Sequence, residues 1–202
     1  QAVRCRHGHC WPAQLVSLSA GGANTCAVDI QGGALCWSQG VETNLVLDVP
    51  TNATFQMISA GLLHACGVTS DGRALCWGSN EEGACDAPSD LTFTSVSAGG
   101  SHTCGIDEDQ HGHCWGANGE GQSSILPDVT WLSISAGQFH TCGIDTSRNA
   151  HCWGANFLGQ LELPAWDGGI FAKISAGATH TCFLDIDGHA DCSGDDQFGM
   201  SS

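Results

Sequence analysis

The feature that most constrains this 202-residue chain is a unit of 38 to 40 residues that recurs along it. Ser-Ala-Gly begins at Ser19, Ser59, Ser97, Ser135 and Ser175. In every copy one cysteine follows that serine by seven positions and a second by seventeen. The apolar runs in each unit are short, end at Gly, Asn or Asp, and never sustain a helical period. A period near 40 residues with short strands is typical of β-propeller arrays, so an all-β fold is expected.

The spacing of the cysteines predicts disulfides. Five pairs are separated by ten positions: Cys26/Cys36, Cys66/Cys76, Cys104/Cys114, Cys142/Cys152 and Cys182/Cys192. The alternative is thiolate ligation of zinc or iron–sulfur clusters, but those sites typically use closely spaced cysteine pairs, which this chain lacks. Structural disulfides indicate an oxidising compartment, so we expect a secreted protein that is extracellular or periplasmic.

Three cysteines stand outside this spacing. Cys5 and Cys10 flank a short hairpin with His7-Gly8 at its turn, and we expect them to form a sixth disulfide. Cys85 is then unpaired. The sequence leaves open whether it is a free thiol or links two chains into a dimer.

Charge excludes several classes of partner. The chain has 21 acidic and 5 basic residues and a formal charge of −16, which repels nucleic-acid phosphates and anionic membranes. No apolar run approaches the ~18 residues of a membrane span, so no membrane insertion is expected. No signal segment opens the chain, and we expect any signal peptide to have been removed.

The residues that follow the two cysteines of a unit are predicted to share one face of a hairpin, because side chains alternate along a strand. These pairs are Ala27/Trp37, Gly67/Trp77, Gly105/Trp115, Gly143/Trp153 and, with the sizes reversed, Phe183/Ser193. One large and one small residue therefore meet in every unit. This pattern favours tryptophans that pack between blades over tryptophans that stack on sugars.

The fourth unit carries Ile-Ser-Ala-Gly-x-x-His-Thr-Cys, a turn, and then Cys-Trp-Gly-x-Asn-x-x-Gly-Gln, ending at Gln160. This pattern resembles the regulator of chromosome condensation repeat superfamily, and in particular its cysteine-bearing secreted branch, which includes Crinkly-type receptor kinase ectodomains and bacterial secreted propellers. The resemblance implies a β-propeller closed by strands from both chain ends. It implies no single activity, because family members serve different functions.

Counting hairpins predicts one domain over residues 1–202. The repeat cores lie near 17–37, 57–77, 95–115, 133–153 and 173–193, and residues 1–11 form a partial repeat in which His7–Trp11 duplicates His111–Trp115. Six blades are predicted, with the tail Gln197–Met200 completing the N-terminal hairpin. Five blades is the alternative.

Histidines and acidic turns are the candidate metal ligands. His64, His102, His140 and His180 each lie two residues before the first cysteine of a unit. We expect each to hydrogen-bond backbone within its own blade, an axial metal being the alternative. His9, His113 and His151 are expected to be similarly local. The acidic turns, such as Asp185–Gly188, predict weak calcium at most, and no other cofactor.

Polar residues recur after each Trp-Gly and form the candidate ligand site. They are Asn80, Glu82, Asn118, Glu120, Gln122, Asn156 and Gln160. Asn52 begins a glycosylation sequon. No catalytic motif is present, so no enzyme is expected.

These features predict a secreted, non-catalytic recognition protein that binds carbohydrate or small polar ligands like a lectin, with a role in defence. Repeated blades make repeated weak sites that gain by multivalency. The alternative is a protein-binding propeller, either an inhibitor of a secreted enzyme or a receptor ectodomain, because the inter-unit loops differ in sequence.

Overall fold

A computed structural model describes residues 3–6, 9–12, 14–22, 24–38, 48–166 and 169–196, with the backbone alone at 3–6 and 9–12. These residues form strands and connecting turns, with no helix among them. The strands are β1 (Val3–Arg6), β2 (His9–Pro12), β3 (Leu15–Ala20), β4 (Asn24–Asp29), β5 (Ala34–Ser38), β6 (Phe55–Ala60), β7 (His64–Thr69), β8 (Ala74–Gly78), β9 (Phe93–Ala98), β10 (His102–Asp107), β11 (Gly112–Gly116), β12 (Trp131–Ala136), β13 (His140–Asp145), β14 (Ala150–Gly154), β15 (Phe171–Ala176), β16 (His180–Asp185) and β17 (Ala190–Gly194). Within this part of the chain, no segment has the helical length and apolarity needed to cross a bilayer.

Strands β3 to β17 form five three-stranded antiparallel sheets, which we call blades 1 to 5 in chain order. Each blade runs from a Ser-Ala-Gly strand through a middle strand to an outer strand. Strands β1 and β2 pair separately, with Cys5 opposite Cys10. The five sheets fit the five-blade alternative. The predicted sixth blade and ring closure depend on residues 197–202, which lie outside the described residues.

The disulfide predictions are confirmed for all five blades. In blade 4, for example, Cys142 lies directly opposite Cys152, and the two sulfurs are bonded. The five Cα–Cα distances are 4.0–4.1 Å. The side chains of Cys5 and Cys10 lie outside the described residues, so the sixth disulfide stays a prediction. The five bridges are Cys26–Cys36, Cys66–Cys76, Cys104–Cys114, Cys142–Cys152 and Cys182–Cys192.

The sequence does not distinguish the two cysteines of a bridge, but the structure does. The first cysteine lies on the middle strand and is 0% exposed in blades 1 to 4. The second lies on the outer strand and is only partly buried, as at Cys36, which packs at the edge of the cluster around Trp77, and at Cys76, which packs at the edge of the cluster around Trp115. In blades 1 to 4 each bridge therefore links the buried interior of an interface to its rim.

Alternation gives each blade two unlike faces. In blade 4 the cysteine face carries His140, Cys142 and Ile144, and the tryptophan face carries Thr141 and Trp153. The cysteine face of one blade packs on the tryptophan face of the next. The prediction that the tryptophans pack between blades is confirmed. For example, a buried cluster joins Cys26 and Val28 of blade 1 to Ile58, Ala60, Ala65 and Trp77 of blade 2.

The small residue on the tryptophan face has a role that the sequence did not reveal. A Cβ atom at Gly143 would lie 2.5 Å from Trp131, the first residue of the inner strand, so the glycine makes room for that ring. Trp131 in turn lies 5.4 Å from Trp153 between ring centroids. Close packing on this face therefore depends on the sizes of three residues. They are the predicted pair, Gly143 and Trp153, and the inner-strand aromatic residue Trp131.

Candidate functional site

The histidines that precede the first cysteines form a chain of contacts between blades. His64 Nε2 lies 2.8 Å from Thr103 Oγ1, His102 Nε2 lies 2.8 Å from Thr141 Oγ1, and His140 Nε2 lies 2.8 Å from Thr181 Oγ1. For His64, His102 and His140 the prediction of a backbone hydrogen bond within the same blade is wrong, and for His180 it stays a prediction. Each of the first three contacts a side chain of the next blade because it projects from the cysteine face.

The donors in this chain follow from the threonines. Thr103, Thr141 and Thr181 donate their hydroxyl hydrogens to the carbonyls of Ala84, Gln122 and Gln160 at 2.8–2.9 Å. A hydroxyl has one hydrogen, so it must accept from the histidine, and Nε2 carries the proton. Nε2 is then no ligand for an axial metal.

Burial keeps these rings neutral. His64, His102 and His140 are at most 1% exposed. Desolvation lowers the pKa of each of them to about 4, and neighbouring histidines add to the effect at His102 and His140. The three rings therefore act as structural hydrogen-bond donors at neutral pH.

The interface between blades 1 and 2 has other residues at both the histidine and the threonine position. Asn24 takes the histidine position of blade 1, and Ala65 takes the threonine position of blade 2. The Asn24 amide donates to the carbonyls of Gly61 and Leu62, each at 3.3 Å. The joint change shows that the histidine and the threonine work as a pair.

The two terminal blades each present one half of this interface. In the described part of the chain, His180 of blade 5 has no threonine beyond it and Thr25 of blade 1 has no histidine before it. Leu18 on the tryptophan face of blade 1 is 66% exposed, whereas its counterpart Ile58 is 3% exposed. The outer faces of blades 1 and 5 are thus complementary halves of the repeated contact.

The asparagines and glutamines predicted to bind ligand form hydrogen bonds to the backbone of their own loops. Asn80 Oδ1 accepts from the Cys85 backbone, Asn118 Oδ1 from Ser123 and Asn156 Oδ1 from Leu161, at 2.8–3.0 Å. Gln122 and Gln160 are 3% and 2% exposed, and their Oε1 atoms accept from the backbone N–H groups of Glu120 and Leu158. The side chains of Glu82 and Glu120 are exposed. The asparagines and glutamines shape the loops that follow the outer strands, and ligand binding by these residues stays a prediction.

In the acidic turns an aspartate side chain forms hydrogen bonds to residues of the same hairpin. Asp107 Oδ2 lies 2.7 Å from His113 Nε2, and Asp145 Oδ2 lies 2.9 Å from His151 Nε2, so the prediction of local contacts for these histidines is confirmed. Burial alone would raise the pKa of Asp107, but hydrogen bonds from His113 and from the His111 backbone outweigh it and lower that pKa. The side chain of His9 lies outside the described residues.

One group in the described residues has the spacing of metal ligands. Asp185, Asp187 and His189 bring their ligand atoms within 4.8 Å of one another, in the turn for which weak calcium is predicted. Asp185 already accepts from the backbone N–H groups of Asp187 and His189 and contacts the His189 ring at 2.7 Å. Turn formation accounts for this arrangement, and calcium binding stays a prediction.

Cys85 is a free thiol in the loop between blades 2 and 3. Its Sγ lies 3.6 Å from the Ser79 carbonyl. Burial, with a contribution from the Asp86 carboxylate, raises the pKa of this thiol to about 11, so little reactive thiolate is present at neutral pH. The predicted dimer through Cys85 stays a prediction, and Asn52 is exposed, as a glycosylation site requires.

The two ends of the blades differ in character. Because the strands are antiparallel, the loop between inner and middle strands lies at the same end as the exit of the outer strand; we call this the loop end. It exposes Leu63 by 56%, Phe139 by 44% and Phe157 by 74%. The opposite, turn end carries the aspartate turns and exposes Ile30 and Ile186. Ile30 and Ile186 are 59% and 56% exposed, so what distinguishes the loop end is its exposed aromatic rings, Phe139 and Phe157.

The Ser-Ala-Gly segments line a cavity of about 350 Å³ near the inner strands. Their serines act structurally. The hydroxyls of Ser19, Ser59, Ser97 and Ser135 accept from the backbone N–H groups of Ala60, Ala98, Ala136 and Ala176 in the next blade, at 2.8–3.0 Å. The Ser-Ala-Gly motif therefore connects adjacent blades. The cavity remains between the motifs because their side chains are small.

Solved structures with this fold include two plant receptor ectodomains. The ectodomain of the Physcomitrella patens receptor kinase CR4 is 29% identical with a TM-score of 0.73, covering 88% of this chain and 49% of that one. The Crinkly ectodomain of the Arabidopsis thaliana receptor kinase ACR4 is 26% identical with a TM-score of 0.71, covering 92% of this chain and 64% of that one. Human WBSCR16 shares the fold at 14% identity with a TM-score of 0.78, covering 91% of this chain and 63% of that one.

The chain therefore spans about half to just under two thirds of the length of these ectodomains. Comparison with curated protein sequences finds no match. A family model described as the regulator of chromosome condensation (RCC1) repeat matches residues 58–84, 93–122, 131–160 and 171–199, more than half of the chain. The chain belongs to the regulator of chromosome condensation (RCC1) repeat family.

Proposed function

We propose that this protein is a secreted, non-catalytic propeller that recognises other proteins in the manner of a receptor ectodomain. The observation that carries the proposal is the exposure of large apolar side chains at the loop end, two of them aromatic: Leu63, Phe139 and Phe157. Large apolar and aromatic side chains are the usual energetic centre of protein interfaces. The similarity to two receptor ectodomains and the five disulfides support an extracellular location.

The lectin-like alternative has less support. A repeated sugar site needs equivalent polar groups free to bind at each blade. The equivalent asparagines and glutamines instead satisfy the backbone of their own loops. The residues exposed at the loop end differ from blade to blade, as a single protein-binding surface requires.

A triple variant tests the proposal. We expect Leu63→Ser, Phe139→Ser and Phe157→Ser together to weaken binding to extracellular proteins at least about tenfold, since each removes a large apolar contact. The matched control is Ile30→Ser with Ile186→Ser at the turn end. Binding of labelled protein to cell-surface extract is measured after protease or glycosidase treatment of the extract.

Protease treatment of the extract should abolish binding of the labelled protein, and glycosidase treatment should leave that binding unchanged. Equal binding by the triple variant and the control would refute the loop-end surface. Loss of binding to the extract after glycosidase treatment, together with saturable binding on a glycan array, would restore the lectin interpretation.

We further propose that the ring closes where blade 5 meets blade 1, which makes five blades. Direct closure would give His180 the missing Thr25 as its partner. In a six-blade ring the N-terminal hairpin would instead present Val3 and Arg4 at the corresponding positions beside Cys5, and neither matches the histidine–threonine pair.

A double-mutant cycle on His180→Asn and Thr25→Ala measures this contact. If the blades meet, the two changes should be coupled by about 0.5 kcal/mol or more in unfolding free energy. Additive effects would mean that another surface separates the two residues. The His102→Asn and Thr141→Ala cycle provides the positive control, because that pair is in contact.

A further inference from the structure

The loop after the outer strand of blade 2 lacks a side chain that the corresponding loops of blades 3 and 4 contain. Gln122 and Gln160 each lie six residues after the glycine that ends their outer strand. Ala84 lies six residues after Gly78, which ends the outer strand of blade 2. All three residues are at most 3% exposed. An alanine is therefore buried at the place where the other two loops hold a glutamine.

The attachment of this loop to the next blade is the same as in the loop that follows blade 3. The Ala84 carbonyl accepts from Thr103 at 2.9 Å and from the Trp115 indole at 2.8 Å. The Gln122 carbonyl accepts from the equivalent threonine and indole of blade 4, each at 2.9 Å. The alanine therefore changes what fills the loop and leaves the position of its backbone against the next blade intact.

The glutamine side chain satisfies a backbone donor of its own loop. Gln122 Oε1 accepts from the N–H of Glu120, and Gln160 Oε1 accepts from the N–H of Leu158, both at 2.9 Å. Ala84 ends at Cβ and offers no acceptor. The equivalent N–H, that of Glu82, donates no hydrogen bond within the described part of the chain. A backbone donor that is satisfied internally in two loops is therefore available to a ligand in the third.

A cavity of about 130 Å³ opens beside this donor. It lies between the loop after blade 2 and the loop between the inner and middle strands of blade 3. The residues that line it are Leu63, His64, Ser79, Glu81, Glu82, Ala84, Gly100 and Ser101. Pockets for drug-sized ligands usually have about 300–1,000 Å³, so this cavity suits a single side chain.

The cavity opens at the proposed protein-binding surface. Leu63 lines it and is 56% exposed at the loop end. A partner that covers Leu63 therefore lies over the mouth of the cavity. A side chain that projects from such a partner can enter it.

The polar groups of the lining define the group that fits. The Glu82 N–H requires a hydrogen-bond acceptor, which an ammonium group cannot supply. The side chains of Glu81 and Glu82 are exposed at the cavity, and their charges repel a carboxylate. Among the described residues, arginine and lysine are absent from the lining. A carboxamide combines an acceptor with two donors and has no charge, so it matches both requirements.

We propose that this cavity receives a glutamine side chain of the partner protein. The carboxamide oxygen accepts from the Glu82 N–H, as Gln122 Oε1 accepts from Glu120 within the loop after blade 3. The carboxamide N–H groups donate to the carboxylates of Glu81 and Glu82, which also favour basic residues beside the glutamine. The inference rests on the proposed function, because a protein partner supplies the side chain.

Hydrogen exchange tests the free donor in the protein alone. The protection factor of the Glu82 N–H should be at least about tenfold lower than those of Glu120 and Leu158, because only the latter two bond to a buried side chain. Ala84→Gln should raise the protection of Glu82 to that of Glu120. Ala84→Met, which has a similar volume but no strong acceptor, should not raise it. Equal protection of Glu82 and Glu120 in the unchanged protein would overturn the proposal.

Nuclear magnetic resonance titration with short peptides tests the ligand. Acetyl-Lys-Gln-Lys-amide should shift the Glu82 amide resonance saturably, with a dissociation constant below about 10 mM. The same peptide with Met or Glu in place of Gln should bind at least about tenfold more weakly, since neither satisfies the donor without cost. Ala84→Gln and Ala84→Met should both abolish binding by filling the cavity. Absence of saturable binding, or equal binding of the Gln and Met peptides, refutes the proposal.

A second pair of variants separates this inference from the loop-end proposal. Phe139 and Phe157 do not line the cavity, so Phe139→Ser with Phe157→Ser should weaken binding to cell-surface extract and leave peptide binding unchanged. Ala84→Gln should weaken both, with an unchanged thermal midpoint. If Ala84→Gln keeps full binding to the extract while the phenylalanine variant loses it, the loop-end surface is correct and the glutamine site is refuted. If the peptide binds as expected while the phenylalanine variant binds the extract fully, the cavity is supported and the loop-end surface is refuted.

Discussion

Acidification from pH 7 to pH 4 should remove much of the stability of this protein while its disulfides stay intact. His64, His102 and His140 have a folded-state pKa of about 4 against an ordinary value of 6.5. Between these values the unfolded chain binds more protons than the folded one, so unfolding becomes more favourable as the pH falls. The contribution is on the order of 3 kcal/mol for a single histidine whose pKa falls from 6.5 to about 4, and it is fully present above pH 6.5.

Urea unfolding at a series of pH values measures this loss. The matched variant is His102→Asn with Thr141→Ala, which copies the Asn24 and Ala65 pair of the first interface. It should lower the pH dependence between pH 4 and 6.5 by about a third, since one of three titrating groups is gone. Protonation of the many surface carboxylates acts on both proteins alike. An unfolding free energy that stays level from pH 7 to pH 4.5 would show that the histidines are not held neutral.

Reduction of the five blade disulfides should unfold the chain at room temperature. Each bridge closes a short loop and stabilises the fold by roughly 2–3 kcal/mol in the chain-entropy model. Five such contributions exceed about 10 kcal/mol, which is comparable to the whole stability of a typical domain. The first cysteines of blades 1 to 4 are also fully buried at the blade interfaces, so an opened bridge disturbs the packing there.

Circular dichroism and dye binding with and without reductant follow this transition. Replacing the Cys104 and Cys114 pair by alanines isolates one bridge and should cost about 2–3 kcal/mol, with the other four intact. A fully reduced chain that keeps its unfolding midpoint would contradict the prediction. Peptide mapping that finds links between blades would contradict the pairing itself.

The strand pairing and the disulfides are predictable because they depend only on local geometry. The ten-residue spacing places each cysteine of a pair across a hairpin from the other, and alternation then fixes which residues share each face. The position of Trp153 between blades follows from the same rule. None of these conclusions requires knowledge of how far apart two blades lie. The unequal burial of Cys66 and Cys76 does require it, because only the neighbouring blade covers the first of them.

The histidine contacts illustrate what lies beyond local geometry. His140 is 41 residues from Thr181, and nothing within a single hairpin indicates that the two side chains meet. A signal was nevertheless present, because Asn24 and Ala65 depart from the repeat together, one unit apart. The candidate ligand residues show a related limit, and ligand binding by them stays a prediction. A recurring asparagine indicates a recurring role, and in Asn118 that role is the shape of its own loop.

The pairing of unlike faces also gives the array a direction. All four contacts between the described blades have serine on one side and a backbone N–H on the other. Three of them also pair histidine with threonine, so blades can be added in only one orientation. An extra copy of the unit inserted at a boundary between blades 2 and 5 would find a matching neighbour on both sides, without compensating substitutions. Gene duplication can therefore lengthen or shorten such a chain by whole units, and the number of units is free to change in evolution while each boundary between them is preserved.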